Sequence, residues 1–161
     1  MTTSEIPHAA KVITVSDGVY HGTRVDTGGS SVADYLAGQG FTVVESTVIP
    51  DGDDSVAGAL VAACDGFAGL VVTTGGTGFG PRDQTPEGTA KVLERDAPGL
   101  AEAMRAISPF GRLSRGRAGS RGLCVVLNLP GSPTGAVEQL SAVIDVVPHA
   151  IDLMVGRPSG H

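Results

Sequence analysis

Leu70 to Thr89, LVVTTGGTGFGPRDQTPEGT, runs an apolar strand straight into a glycine turn, then an Arg-Asp pair, then a helix start. Leu70, Val71, Val72 and Thr73 make a short β-branched and apolar run, the pattern of a strand buried on both faces of a sheet. Gly75, Gly76 and Gly78 follow Thr74, and without Cβ atoms they can take positive φ and let a ligand reach bare N–H groups. Thr85 reads as an N-cap, with Pro86 at the first helical position and Glu87 in the first turn, so a helix is expected from there to about residue 95. Between turn and helix stand Arg82, a guanidinium that can pair with phosphate, and Asp83, a carboxylate that can hold Mg²⁺ or orient a nucleophile. That order describes an anion site suited to phosphate chemistry. The plainer alternative is a tight β-to-α connection with incidental glycines.

Two familiar phosphate motifs are excluded. A P-loop needs Gly-Lys-Ser/Thr, and the only lysines, Lys11 and Lys91, stand in no such context. The dinucleotide fingerprint fails because Gly76-Thr77-Gly78 meets Pro81 where its third glycine belongs.

The chain has 161 residues, enough for one domain with a substantial core, taken as residues 11–157 after a flexible N-terminal tail over 1–10. A net charge of −6 argues against a nucleic-acid surface, so any anion must be held locally. Four arginines, Arg112, Arg115, Arg117 and Arg121, crowd one segment that reads as a solvated loop, with Arg115 the candidate phosphate contact. Cys64 and Cys124 lie in apolar settings with neither a CxxC pair nor a secretory leader, which points to buried free thiols in a cytoplasmic protein. No apolar run approaches the roughly 20 residues of a membrane span. The histidines are scattered without zinc spacing, and His149 reads as a helix-start or interface residue.

Along the chain, strands are expected at 11–15, 41–49, 70–74 and 123–129. A helix through Val32, Tyr35 and Leu36 is expected to be capped by Ser30 or Ser31, and one through Val56, Leu60 and Ala63 by Asp54. Further helices are expected at about 99–107, from Ser132-Pro133 through Val147, and at 149–155. Strands alternating with helices specify a mostly parallel sheet covered on both faces, a three-layer α/β/α sandwich. In such sheets ligands bind beyond the carboxyl ends of the strands. Four strands end in Ser16-Asp17, Pro50-Asp51, Thr74-Gly75-Gly76 and Pro130-Gly131-Ser132, so these residues are expected to converge. The loop HGTRVDTGG is longer than the chain path requires, which hints at function.

With these residues assembled, the chain resembles the MogA/MoaB family of molybdenum-cofactor biosynthesis proteins, which includes the G domains of plant Cnx and animal gephyrin. The resemblance rests on ITVSDGV, the DTGG loop, VIPD, TTGGTGFGPRDQTPEGT, LSR at 113–115, NLPGSP at 128–133 and Pro-His-Ala near the C-terminus. It implies a three-layer α/β domain, commonly a homotrimer, that binds molybdopterin. Active members transfer AMP from Mg-ATP to the molybdopterin phosphate and release pyrophosphate; a MoeA-type partner inserts molybdate later. On the matching positions Asp51 and Asp83 are implied as the catalytic, Mg²⁺-holding pair. Gly75, Gly76, Thr77 and Gly78 are implied to line the phosphates, and Gly131 with Ser132 the opposite wall. Ser16, Asp17, Thr74, Arg82, Ser114, Arg115 and Pro130 complete the candidate substrate site. The alternatives within the family are a protein that binds molybdopterin without making pyrophosphate, and a scaffold of the same fold.

Overall fold

The structure, a computed structural model, describes residues 6–158. In chain order the strands are β1 (Ala9–Val15), β2 (Thr42–Ile49), β3 (Ala68–Thr74), β4 (Arg95–Asp96), β5 (Ala118–Arg121) and β6 (Leu123–Leu129). The helices are α1 (Asp17–Tyr20), α2 (Thr27–Gly38), α3 (Asp53–Cys64), α4 (Thr85–Ala90), α5 (Pro98–Ala106), α6 (Pro133–Ser141) and α7 (Val147–Val155), with a 3-10 turn at Pro109–Leu113. They form one six-stranded sheet in the order β2-β1-β3-β6-β5-β4. The first four strands run parallel, and β5 and β4 add antiparallel edges.

Side-chain alternation along the strands builds two cores. Ala10 and Val12 of β1, Leu70 and Val72 of β3, and Val125, Leu127 and Leu129 of β6 face a cluster with Val32 and Leu36 of α2 and Leu140 and Ile151 of α6 and α7. The intervening Ile13, Val15, Val71, Cys124 and Val126 face Val56 and Leu60 of α3. The expected three-layer α/β/α sandwich is the observed one. Burying both faces is why β3 and β6 read as unbroken apolar runs. Cys64 and Cys124 are both buried free thiols, and hydrogen bonding with Cys124 followed by burial raises the Cys64 thiol well above its ordinary range.

Several boundaries differ from the sequence expectations. Residues 1–5 of the expected tail lie outside the described residues, while Ala9 and Ala10 already belong to β1. The cap of α2 is Asp26, whose carboxylate accepts from Gly29 N at 2.8 Å, rather than Ser30 or Ser31. Gly52 opens α3 in place of Asp54, with a φ of 125° that favours glycine. Thr85 is fully buried and donates its hydroxyl to Gly75 O at 2.8 Å, so it anchors the glycine turn instead of capping α4. Short β5 lies inside the expected arginine loop: its residues, AGSR, carry no β-branched signal, and pairing with β6 across Gly122 makes the strand.

Asn128 pins this antiparallel edge to the parallel sheet. Its amide donates to Thr73 and Thr89 hydroxyls at 3.0 Å each, and its oxygen accepts from Arg117 N at 3.0 Å, all without solvent access at Asn128.

The turn after β3 leaves no room for a side chain at Gly75. Gly75 has φ 109°, and a Cβ there would lie 2.2 Å from Val15 O. Gly75→Ala is expected to cost roughly 1–3 kcal/mol or more, read as a lower urea midpoint with unchanged slope; a midpoint equal to wild type would contradict this packing.

Candidate active site

The order β2-β1-β3 places a switch of direction between β1 and β3, since β1 leads first to one neighbour and later chain fills the other side. A cleft of about 970 Å³ opens at this point, beyond the carboxyl ends of β1, β3 and β6. Of the residues singled out from sequence, Ser16, Asp51, Thr74, Gly75 and Gly76 line it, as do Thr77, Gly78, Asp83 and Ser114. Pro130, Gly131 and Ser132 form part of the facing wall.

Two turns supply unpaired N–H groups. The β3 turn is held from below: Gly75 N donates to Leu129 O at 3.0 Å, and Thr85 N donates to Gly76 O at 3.1 Å. The N–H groups of Gly76, Thr77 and Gly78 donate to no acceptor among the described residues. Those of Gly131 and Ser132 are likewise free, while Ser132 Oγ accepts from Gly135 N at 3.2 Å as the cap of α6. Thr74 Oγ1 ties the turns together by donating to Pro130 O at 2.8 Å. Such fixed amide dipoles form a cradle for anions.

The two carboxylates flank the glycine turn. A Cβ on Gly76 would sit 3.3 Å from Asp51 Oδ1, and one on Gly78 would sit 3.1 Å from Asp83 Oδ2. Asp51 Oδ2 accepts from Asp17 N at 2.9 Å and Asp83 Oδ2 accepts from Gly80 N at 2.8 Å, leaving Oδ1 of each without a donor. Burial raises the Asp51 carboxyl above its ordinary range; the Asp17 N–H opposes this, and the negative charges of Asp17 and Asp83 add to it.

The other expected residues are engaged with the protein. Arg82 pairs with Asp17 at 3.1 Å and donates to Asp51 O at 3.0 Å, and that guanidinium lowers the Asp17 carboxyl. Neither residue lines the cleft. Arg115 clamps the glycine loop, donating to Gly78 O at 2.8 Å and Asp83 O at 2.7 Å and pairing with Glu87 at 2.8 Å. It is therefore turned away from the phosphate role expected of it. Ser16 Oγ caps α1 by accepting from Val19 N, and Ser114 Oγ accepts from Gly116 N.

Sequence reasoning missed Arg24, the single Arg or Lys among the cleft-lining residues, set against Asp26, Asp51, Asp83 and Glu138. It has no ion pair among the described residues, and its stem crosses Gly18, where a Cβ would meet Arg24 Cδ at 2.7 Å. The long loop carrying it was the only signal. Also missed were Asp26, which accepts from Thr14 Oγ1 at 2.8 Å, and the cleft-lining residues Ser108, Phe110, Glu138 and Gln139.

Because the folded Asp51 carboxyl titrates above the ordinary 3.8, its charged form subtracts stability as pH rises through the raised value. Asp51→Asn keeps an acceptor for Asp17 N and is expected to melt at or above wild type at neutral pH. The difference should vanish below the unfolded-state value. A variant less stable at neutral pH would contradict this reading.

Among the described residues no three His, Cys, Asp or Glu side chains form a ready metal cage, and no helix is long and apolar enough to cross a membrane. A family model described as a probable molybdopterin binding domain matches residues 11–149. A molybdopterin adenylyltransferase of Helicobacter pylori is 37% identical over 91% of this chain and 87% of its own length. The protein of the same name from Escherichia coli is 34% identical over 90% and 84%. Among solved structures, the molybdopterin biosynthesis enzyme MoaB of Thermus thermophilus superposes with a TM-score of 0.86 at 44% identity, covering 94% of this chain and 98% of that one. A match over most of the chain, at a cleft of this build, means that the chain belongs to the molybdopterin-binding domain family of molybdenum-cofactor biosynthesis, with MogA and MoaB as structural relatives.

Proposed function

We propose that this protein is a molybdopterin adenylyltransferase, transferring AMP from ATP to the terminal phosphate of molybdopterin with release of pyrophosphate. The observation that carries the reading is the pair Asp51 and Asp83, set beside a glycine turn in which the N–H groups of Gly76, Thr77 and Gly78 are free among the described residues. Relatives bearing that activity's name, at 34% to 37% identity over most of the chain, support it over a purely binding or scaffold role.

The reaction joins two polyanions. A molybdopterin phosphate oxygen forms a bond to the α-phosphorus of ATP as the bond to the pyrophosphate oxygen breaks. Free N–H groups of the β3 turn receive phosphate oxygens from one side, and those of Gly131 and Ser132 from the other. Arg24 offsets charge at the mouth. Positioning of the two phosphates supplies most of the rate, as in phosphoryl transfer generally. The donor set fits Mg²⁺, which takes one or two carboxylates and completes its shell with phosphate oxygens and water; Asp51 and Asp83 would hold it through their free Oδ1 atoms, and it would neutralise charge between the phosphates. Asp17 and Arg82 act as positioning residues: Asp51 N donates to Asp17 Oδ1 at 3.0 Å, so the Asp17–Asp51 pairing is reciprocal. The same proposal includes a cytoplasmic homotrimer that hands its product to a MoeA-type insertion partner. Exposed Val146 and Leu153, at 47% and 58%, offer apolar surface on the α6–α7 side for association.

Pyrophosphate release from Mg-ATP is expected to require molybdopterin and to fall at least about 100-fold in both Asp51→Ala and Asp83→Ala. Release that ignores molybdopterin, or survives both substitutions, would overturn the assignment. Arg24→Ala is expected to raise the KM for ATP or molybdopterin roughly tenfold, in line with one charge-assisted hydrogen bond, with a smaller change in kcat. An unchanged KM for both substrates would remove Arg24 from the phosphate site.

A further inference from the structure

The chain's two cysteines, 60 positions apart, meet on the α3 side of the sheet and take no part in the cleft. Cys64 is the last residue of α3 and Cys124 the second of β6. The Cys64 thiol hydrogen-bonds the Cys124 sulfur, which itself donates to Phe67 O at 3.2 Å and lies 4.0 Å from Cys64 O. Cys124 has no solvent access, whereas Cys64 keeps 7% and lines a groove of about 580 Å³ with Phe67, Glu94, Arg121 and Leu123. This groove lies at the amino ends of β3 and β6, where Ala68 and Leu123 begin those strands, and it shares no residue with the cleft. A small solute entering it meets Cys64 first.

Two free thiols in contact need only lose two hydrogens to become a disulfide. We propose that Cys64 and Cys124 form a modification site: hydrogen peroxide closes them into an intramolecular disulfide that locks α3 to β6, and a thiol reductant reopens it. In the first step Cys64 gives its proton to solvent, its sulfur attacks one peroxide oxygen, and the O–O bond breaks to leave a sulfenic acid and water. In the second the Cys124 sulfur attacks the Cys64 sulfur; the S–S bond forms, the S–O bond breaks, and the departing hydroxide takes the Cys124 proton as water. Two thiols are oxidised while one peroxide is reduced to two waters. In the resting protein, hydrogen bonding to Cys124 and burial hold Cys64 protonated, which slows the reaction and keeps the pair reduced until oxidant persists. The lock acts on elements that serve the cleft from their other ends: α3 begins two residues after Asp51, and β6 runs into Pro130, Gly131 and Ser132.

The test treats the intact wild-type chain with hydrogen peroxide until its free-thiol count stops changing. It then reads the peptide map without reductant, the chain's size under denaturing conditions and the melting temperature. The expected product is a monomer whose Cys64 and Cys124 peptides are joined, two hydrogens lighter than the separate peptides, and dithiothreitol restores both thiols. Closing a loop of this length is expected to raise the melting temperature by roughly 5–12 °C, and Cys64→Ser given the same treatment should show no rise. An unchanged thiol count, oxygen added to a cysteine without a cross-link, or a bond between two chains would overturn the proposal. A disulfide that leaves the melting temperature where it was, or lowers it, would overturn the lock between α3 and β6. The map is read on wild type, so it decides the matter even where Cys64→Ser fails to fold. The outcome is independent of the reaction assigned to the cleft.

Discussion

The contact between Gly75 and the Val15 carbonyl is the constraint from which the rest of the site follows. With φ at 109° and only 2.2 Å available to a Cβ, the chain leaving β3 folds back over the end of β1 as no other residue could. Two further glycines extend the close packing. A Cβ on Gly131 would lie 3.4 Å from Gly75 Cα, and one on Gly28 would lie 3.0 Å from Gly131 O. Three backbone segments from three parts of the sequence therefore meet without side chains between them, and beside that contact the N–H groups of Gly76, Thr77, Gly78, Gly131 and Ser132 find no acceptor among the described residues. The parallel sheet fixes where the strands end; the missing Cβ atoms decide how near the loops come.

Charge explains the division of labour among the polar residues. An acidic protein that binds polyanions needs compensation, yet Arg82 and Arg115 are bound to Asp17 and Glu87. Those pairs give little stability at a surface, but each guanidinium also grips backbone carbonyls, of Asp51 in one case and of Gly78 and Asp83 in the other. The two arginines thus hold the carboxylates' own backbone in place. Within the cleft, compensation is left to unpaired amide dipoles and to Arg24, while the Oδ1 atoms of Asp51 and Asp83 have no donor. Burial, with the charges of Asp17 and Asp83 added, raises the Asp51 carboxyl: its surroundings disfavour its charge.

Much of this was legible in the sequence because it is written in local chemistry. Leu123–Leu129 reads as a buried strand and is one, Ser132 reads as a cap and is one, and the strand ends carrying Asp51 and Gly75 do converge. What escaped depends on partners distant in sequence. Thr85 has every local mark of an N-cap, yet a buried carbonyl ten residues earlier claims its hydroxyl. Ser30 and Ser31 look like caps until the steric freedom of Gly28 and Gly29 lets Asp26 begin the helix earlier. Arg115 has the right chemistry for phosphate, and only the folded loop shows its bonds already taken. Arg24 carries no motif, since its significance lies in the ion pair it lacks among the described residues at the cleft.

The most direct test of the account follows the phosphorus atoms. Wild-type protein would be incubated with molybdopterin and Mg-ATP labelled either at the α- or at the γ-phosphate, and the pterin product separated. The account predicts that the α-label appears in the pterin product and the γ-label leaves in pyrophosphate. A pterin product carrying the γ-label, or no labelled pterin at all while ATP is consumed, would contradict adenylyl transfer at this cleft.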